Sequence, residues 1–129
     1  MADYTRINLK DLEDFAAKSG RKGYSARFAT KSLGLEESGV GYQTLEPNHR
    51  MSFGHKHEAQ EEIFVVLSGS GRFKLEDEII EVTAYDAIRI PHDVMRGYEA
   101  GPDGMELLIF GAPRTEQNDA ILEHDWWQS

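Results

Sequence analysis

After Gly23 the chain becomes a close succession of short runs rich in β-branched and aromatic residues, each ended by residues that turn the backbone. The runs fall at Tyr24 to Leu33, Gly39 to Glu46, Arg50 to Gly54, Glu62 to Leu67 and Gly71 to Leu75, then Ile79 to Val82, Ala87 to Ile90, Met95 to Ala100 and Met105 to Phe110. Between them lie Glu46-Pro47-Asn48, Ser68-Gly69-Ser70-Gly71, Pro91-His92-Asp93 and Gly101-Pro102-Asp103-Gly104, all with turn chemistry. Many short strands at close, regular spacing point to a β-sandwich or a predominantly antiparallel barrel rather than a parallel α/β sheet. One helix is expected ahead of the strands. Asn8 can cap Leu9 to Ala17, which places Leu9, Leu12, Phe15 and Ala16 on one face, with Ser19-Gly20 as the stop. Its role would be to pack over an edge or end of the sheet.

A chain of 129 residues has room for one domain with a core of its own. The expected division is a helix over about 9–18, a barrel core over about 24–112 and a polar tail over 113–129 that carries Asp125-Trp126-Trp127. That aromatic pair suits a clamp over a barrel face or a dimer seam. With no cysteine, thiolate metal sites, disulfides and Cys nucleophiles are excluded. The formal charge of −9 is grouped at Glu36-Glu37, Glu58 to Glu62 and Glu76-Asp77-Glu78, and no basic stripe offsets it, which argues against nucleic acid as a partner. No window approaches the apolar length of a membrane span, and the start lacks the layout of a secretory signal, so the expected location is cytoplasmic.

The stretch with most chemistry is His55-Lys56-His57-Glu58-Ala59-Gln60-Glu61-Glu62. Histidines at i and i+2 on an extended segment face the same side, so both rings can converge on one ion. Glu62 opens the run Ile63 to Leu67 and shares a face with Phe64 and Val66. Two imidazoles and a carboxylate make a ligand set for a borderline divalent ion: Fe, Mn, Ni, Co or Zn.

The spacing His55-x-His57-x4-Glu62-x6-Gly69, with Val66-Leu67-Ser68-Gly69-Ser70-Gly71, resembles the first motif of the cupin superfamily. Asp86-Ala87-Ile88-Arg89-Ile90-Pro91, followed by a turn and a returning strand, resembles the second, and together the two blocks cover roughly residues 47–99. The resemblance implies an all-β cupin fold, a double-stranded β-helix or jelly-roll barrel, with a short N-terminal helix. It also implies a small-molecule pocket within the barrel and pairing of two copies as a homodimer. It does not imply one reaction, because cupins include dioxygenases, isomerases, decarboxylases, storage proteins and ligand-binding regulatory domains.

The chain departs from that pattern in places. A first-motif glycine falls near His49, the second motif opens Tyr85-Asp86 rather than Gly-Asp, and the third metal-binding histidine falls at Arg96. Arginine has no lone pair to give a metal. Three arrangements follow. His55, His57 and Glu62 hold a metal as a reduced triad, with Arg96 beside it as anchor for a carboxylate, enolate or phosphate. Alternatively no metal binds and Arg96 fills the place by pairing with Glu62. In the third, His92 swings in as the missing ligand. Tyr98, two residues after Arg96, would share its face and could bond a ligand, or be a packed aromatic with its hydroxyl satisfied. Met51 and Phe53 would line the pocket wall, and His124 would be solvated. The function expected is therefore a small-molecule cupin acting on a small anionic organic substrate, metal-dependent in the manner of a dioxygenase or isomerase. The alternative is a binding or sensing barrel without metal.

Overall fold

The computed structural model describes residues 2–114 and 119–127. Eight strands form one curled antiparallel sheet: β1 (Tyr24–Phe28), β2 (Gly39–Leu45), β3 (Phe53–His57), β4 (Glu61–Leu75), β5 (Glu78–Thr83), β6 (Ala87–Ile90), β7 (Arg96–Ala112) and β8 (Ala120–His124). The order β1-β2-β7-β3-β8 makes one path, and β4 pairs with β5, β6 and β7. The all-β barrel expected from the sequence is thus the architecture found.

Two expected breaks are not breaks. Glu62 to Leu67 and Gly71 to Leu75 are one strand, β4, and the runs expected at Met95 to Ala100 and Met105 to Phe110 are, from Arg96 on, one strand, β7. The register explains this: Gly69 pairs with Met105 but Gly71 pairs with Ala100, so the residues between 100 and 105 are accommodated as an irregularity in one partner. Such bulges bend a long strand from one part of a barrel into the next while keeping most of the ladder. Gly69 is required at the bend. Its φ is +78°, and a Cβ there would stand 2.1 Å from the Gly104 carbonyl oxygen.

Elsewhere the differences are local. The run from Tyr24 stops as a strand at Phe28, and Thr30–Leu33 forms a helical turn, α2, closed by Gly34 with φ +69°. The expected Leu9 to Ala17 helix is split into a 3-10 turn at Leu9–Asp11 and a short α1 at Phe15–Lys18. Asp14 is the reason. Its Oδ1 accepts from the Ala16 amide at 3.0 Å, starting a new helix, and from the Ala26 amide of β1 at 2.9 Å. Among the described residues no helix is long and apolar enough to cross a membrane.

Alternation along β4 and β7 builds the core. Glu62, Phe64 and Val66 turn inward while Glu61 and Ile63 are exposed. Phe64, Phe73 and Tyr98 pack ring against ring with centroids 5.1 to 5.5 Å apart, joined by Leu45, Met51, Ile90 and Leu107. Each large side chain so buried contributes roughly 1.5–3 kcal/mol relative to exposure. The Trp pair clamps the barrel wall. Trp126 lies over Gly54, where a Cβ would stand 2.5 Å from its ring, and Lys74 Nζ sits 4.2 Å from that ring's centroid. Buried Trp127 receives the Arg50 guanidinium at 4.5 Å, and Arg50 and Arg72 share Glu99.

Candidate metal centre

The strand period places His55 and His57 on one face of β3, and their rings meet edge to face with centroids 5.2 Å apart. Glu62 reaches the same point from the start of β4, and Arg96 from the start of β7, where it stands opposite His55 in the ladder. The Nε2 atoms of His55 and His57 lie 3.6 and 3.2 Å from Glu62 Oε1. Ligand atoms of these three residues all lie within 4.8 Å of one another, and they form the one such grouping found among the described residues.

Arg96 is fully buried, at 0% exposure, and its guanidinium is held by the protein. Nη1 donates to Glu62 Oε1 at 2.7 Å, Nη2 to the Pro91 carbonyl at 2.7 Å, and Nε to the Val94 carbonyl at 3.1 Å. The turn between β6 and β7 therefore grips Arg96 from behind and leaves its front to Glu62. Tyr98 lies deeper, buried in the aromatic cluster, with its hydroxyl donating to Gln43 Oε1. Burial pushes its phenol well above the ordinary value. His92 is exposed, and its Nδ1 lies 3.2 Å from the His57 carbonyl oxygen rather than with the three ligand atoms. Met51 and Phe53 belong to the core or pack against it, and His124 is exposed on β8. His49, near which a motif glycine falls, is half-buried and stacks on Tyr24.

Two features bear on whether an ion fits. His57 Nε2 is buried and has no hydrogen-bond partner, although Glu62 Oε1 is only 3.2 Å away. A buried ring nitrogen left without a bond is costly unless a cation or proton meets it. The electrostatics are also tightly drawn. Burial raises the Glu62 carboxyl, but the two imidazoles, His55 first, outweigh it and bring Glu62 down to about 2. Burial lowers His55, and the Glu62 charge does not fully offset it. Burial lowers His57 as well, yet Glu62 and Asp119 together hold it above its ordinary value. The donor set of two imidazoles and an ionised carboxylate suits a borderline divalent ion.

Asp119 is the residue that sequence reasoning missed. Its Oδ1 lies 2.8 Å from His57 Nδ1, and its Oδ2 accepts from the amides of Ala59 and Gln60, both at 3.0 Å. It immediately precedes β8, which pairs along the whole of β3, so Ala120 stands opposite His57. An aspartate in a polar tail, 62 residues from its partner, carries no local signal.

A family model described as a cupin domain matches residues 41–110, from β2 to β7, and the chain belongs to that family. No curated protein matches. Solved structures do. A cupin protein from Bacteroides fragilis is 24% identical, with 92% of this chain and 91% of that chain covered and a TM-score of 0.72. PAC13 from Streptomyces, a nucleoside dehydratase, has a structure with uridine that is 21% identical, covers 96% of this chain and 93% of its own, and has a TM-score of 0.72. Oxalate decarboxylase from Bacillus subtilis is 20% identical with a TM-score of 0.74, and the match covers 94% of this chain but 33% of the enzyme. At these identities the likeness speaks for the fold.

Proposed function

We propose that this cupin domain holds a divalent metal ion on His55, His57 and Glu62 and binds a small anionic organic molecule there, as an enzyme of the dioxygenase or isomerase kind. The observation that carries the reading is the His57 Nε2 atom, buried without a hydrogen bond beside two further donor atoms. An ion bound there would supply Lewis-acid polarisation of a carbonyl or carboxylate oxygen.

Charge supports the anionic class. Glu62 and Asp119 bring two negative charges, Arg96 one positive, and the imidazoles none when neutral, so a dication leaves the site with one positive charge to be met. A monoanion would meet it. Arg96 keeps Glu62 ionised and directed, and the second N–H of each Nη reaches a ligand oxygen once the packing that now buries the guanidinium completely opens toward the site. Tyr98 would take part only by giving up Gln43. The fold neighbours support a small ligand, since one is named for oxalate and another holds uridine, and of these two only oxalate is an anion.

The 2.7 Å pair of Arg96 with Glu62 favours a second reading, in which the guanidinium replaces the ion and the barrel binds its ligand without metal. Elemental analysis of protein purified without chelator or nickel resin separates the two. Close to one transition-metal ion per chain, lost in His57→Ala, supports the first. Absence of metal, together with a raised unfolding temperature in small carboxylates, supports the second. We also propose a homodimer, for which the exposed cross-strand neighbours Ile63 and Phe110 offer an apolar surface. Sedimentation at micromolar concentration showing only a 14.6 kDa species would contradict it.

A further inference from the structure

Asp119 lies beyond the segment matched by the family model, and its backbone is tied to the start of the turn after β3 by the Glu58 amide, 3.1 Å from its carbonyl oxygen. Both carboxylate oxygens are engaged, one by the His57 ring and the other by two backbone amides. Those amides cannot rotate, so they fix the carboxylate in the ring plane's reach. β8 is in turn anchored at its far end, where Trp126 and Trp127 are clasped by Lys74, Arg50 and Arg72. Asp119 is thus positioned from the barrel wall and independently of anything bound at the histidines.

A neutral imidazole has one proton and two nitrogens to place it on. On the Nδ1 side stands an anchored carboxylate at 2.8 Å. On the Nε2 side stands Glu62 Oε1, at 3.2 Å, out of line for a hydrogen bond and already receiving Arg96 Nη1 at 2.7 Å. The Nδ1 position wins on distance, alignment and unspent acceptor strength. Nε2 is then left with its lone pair, directed at the point that His55 and Glu62 also face. We infer that Asp119 is the positioning residue of this site: it fixes His57 in the Nδ1–H tautomer and so makes Nε2 the ligating nitrogen. The consequence for metal rests on the metal reading above, whereas the tautomer itself does not. A carboxylate behind a ligating imidazole also raises the basicity of the nitrogen it leaves free.

Asp119→Asn tests this with little change of shape. The amides of Ala59 and Gln60 need an acceptor, so the Asn carbonyl turns to them and its NH2 group faces His57 Nδ1. An NH2 donor there requires an unprotonated Nδ1, which drives the proton to Nε2 and blocks the ligating lone pair. The ring nitrogens are read by 15N NMR long-range couplings in metal-free protein at alkaline pH, where the imidazole is neutral, and Mn binding is read by calorimetry. The expected result is an Nδ1–H ring in the wild type, an Nε2–H ring in Asp119→Asn, and a loss of about 10–100-fold in Mn affinity. An Nε2–H ring in the wild type, or an unchanged tautomer in the variant, overturns the inference. A wild type that shows the Nδ1–H ring, inverted in the variant, yet binds no Mn upholds the role of Asp119 and defeats the metal reading. Should the variant fail to fold, the wild-type tautomer alone decides.

Discussion

Two residues of travel along β4 or β7 separate two different interiors. At one step the strands turn Glu62 and Arg96 inward, to meet His55 and His57, and at the next they turn in Phe64 and Tyr98. The ladder between β4 and β7 runs on through both places. The aromatic region is held by area and shape, and the hydroxyl of Tyr98, the polar side chain in that cluster, is answered by Gln43. The histidine region is held by charge, and one ring nitrogen in it is not answered. A barrel can thus keep an unsatisfied, chemically useful cluster because the neighbouring layer supplies its stability.

The comparison is sharpest where the two layers lose equal stability for unequal reasons. Phe73→Ala should cost about 3–5 kcal/mol through the cavity it leaves and should not alter metal content. Glu62→Gln should also cost about 3–5 kcal/mol, because Arg96 is left buried without its counter-charge, and should abolish metal binding. Chemical denaturation with elemental analysis of both variants checks the pair. Equal metal content in the two would erase the distinction between the layers.

A smaller effect is expected at Arg96. Arg96→His removes the guanidinium from Glu62 Oε1 and adds a nitrogen donor, so Mn affinity measured by calorimetry should rise at least about tenfold, or about 1.4 kcal/mol. Carboxylate binding should fall in the same variant, because the guanidinium that meets the ligand is gone, and unchanged carboxylate binding would remove Arg96 from the ligand site.

Acid should find the charged layer and pass over the aromatic one. Glu62 titrates at about 2 when folded, against an ordinary 4.5. A lowered carboxyl stabilises the fold fully above its unfolded value and loses that contribution as the pH falls toward the folded one. Metal-free protein should therefore weaken between pH 4.5 and about 2. His57 works in the opposite sense: its raised value contributes below 6.5 and fades as the pH climbs past that value. His55, with its value lowered, opposes His57 over the same range, so denaturation midpoints across pH should show the acid flank in the wild type, and Glu62→Gln should lose it.

The least effect belongs to Tyr98→Phe, which strands the Gln43 acceptor and should cost about 1 kcal/mol by denaturant unfolding while leaving Mn and carboxylate binding as they were. Loss of carboxylate binding would move Tyr98 from the aromatic layer into the site.

What the sequence made legible follows the range of the interactions. His55-x-His57-x4-Glu62 could be read because strand period alone puts the two rings on one side and Glu62 on the inward face of β4. Arg96 could be placed by its position in the motif, but its grip by the Pro91 and Val94 carbonyls depends on the path of a turn. The helix expected over Leu9 to Ala17 failed because Asp14 found an amide on β1, a partner that no local pattern reveals. The turn residues Gly101 to Gly104 were real turn formers, yet a ladder resuming on either side absorbed them as a bend. Asp119 was illegible for the same reason in stronger form, since only the return of β8 along β3 brings it to His57.

Pulsed EPR on the protein loaded with one equivalent of Cu(II) tests the central claim most directly, because modulation from remote imidazole nitrogens counts the histidines bound to the ion. The account predicts two imidazoles in the wild type, one in His55→Ala and one in His57→Ala. An ion bound without imidazole modulation, or a signal untouched by either substitution, would contradict it.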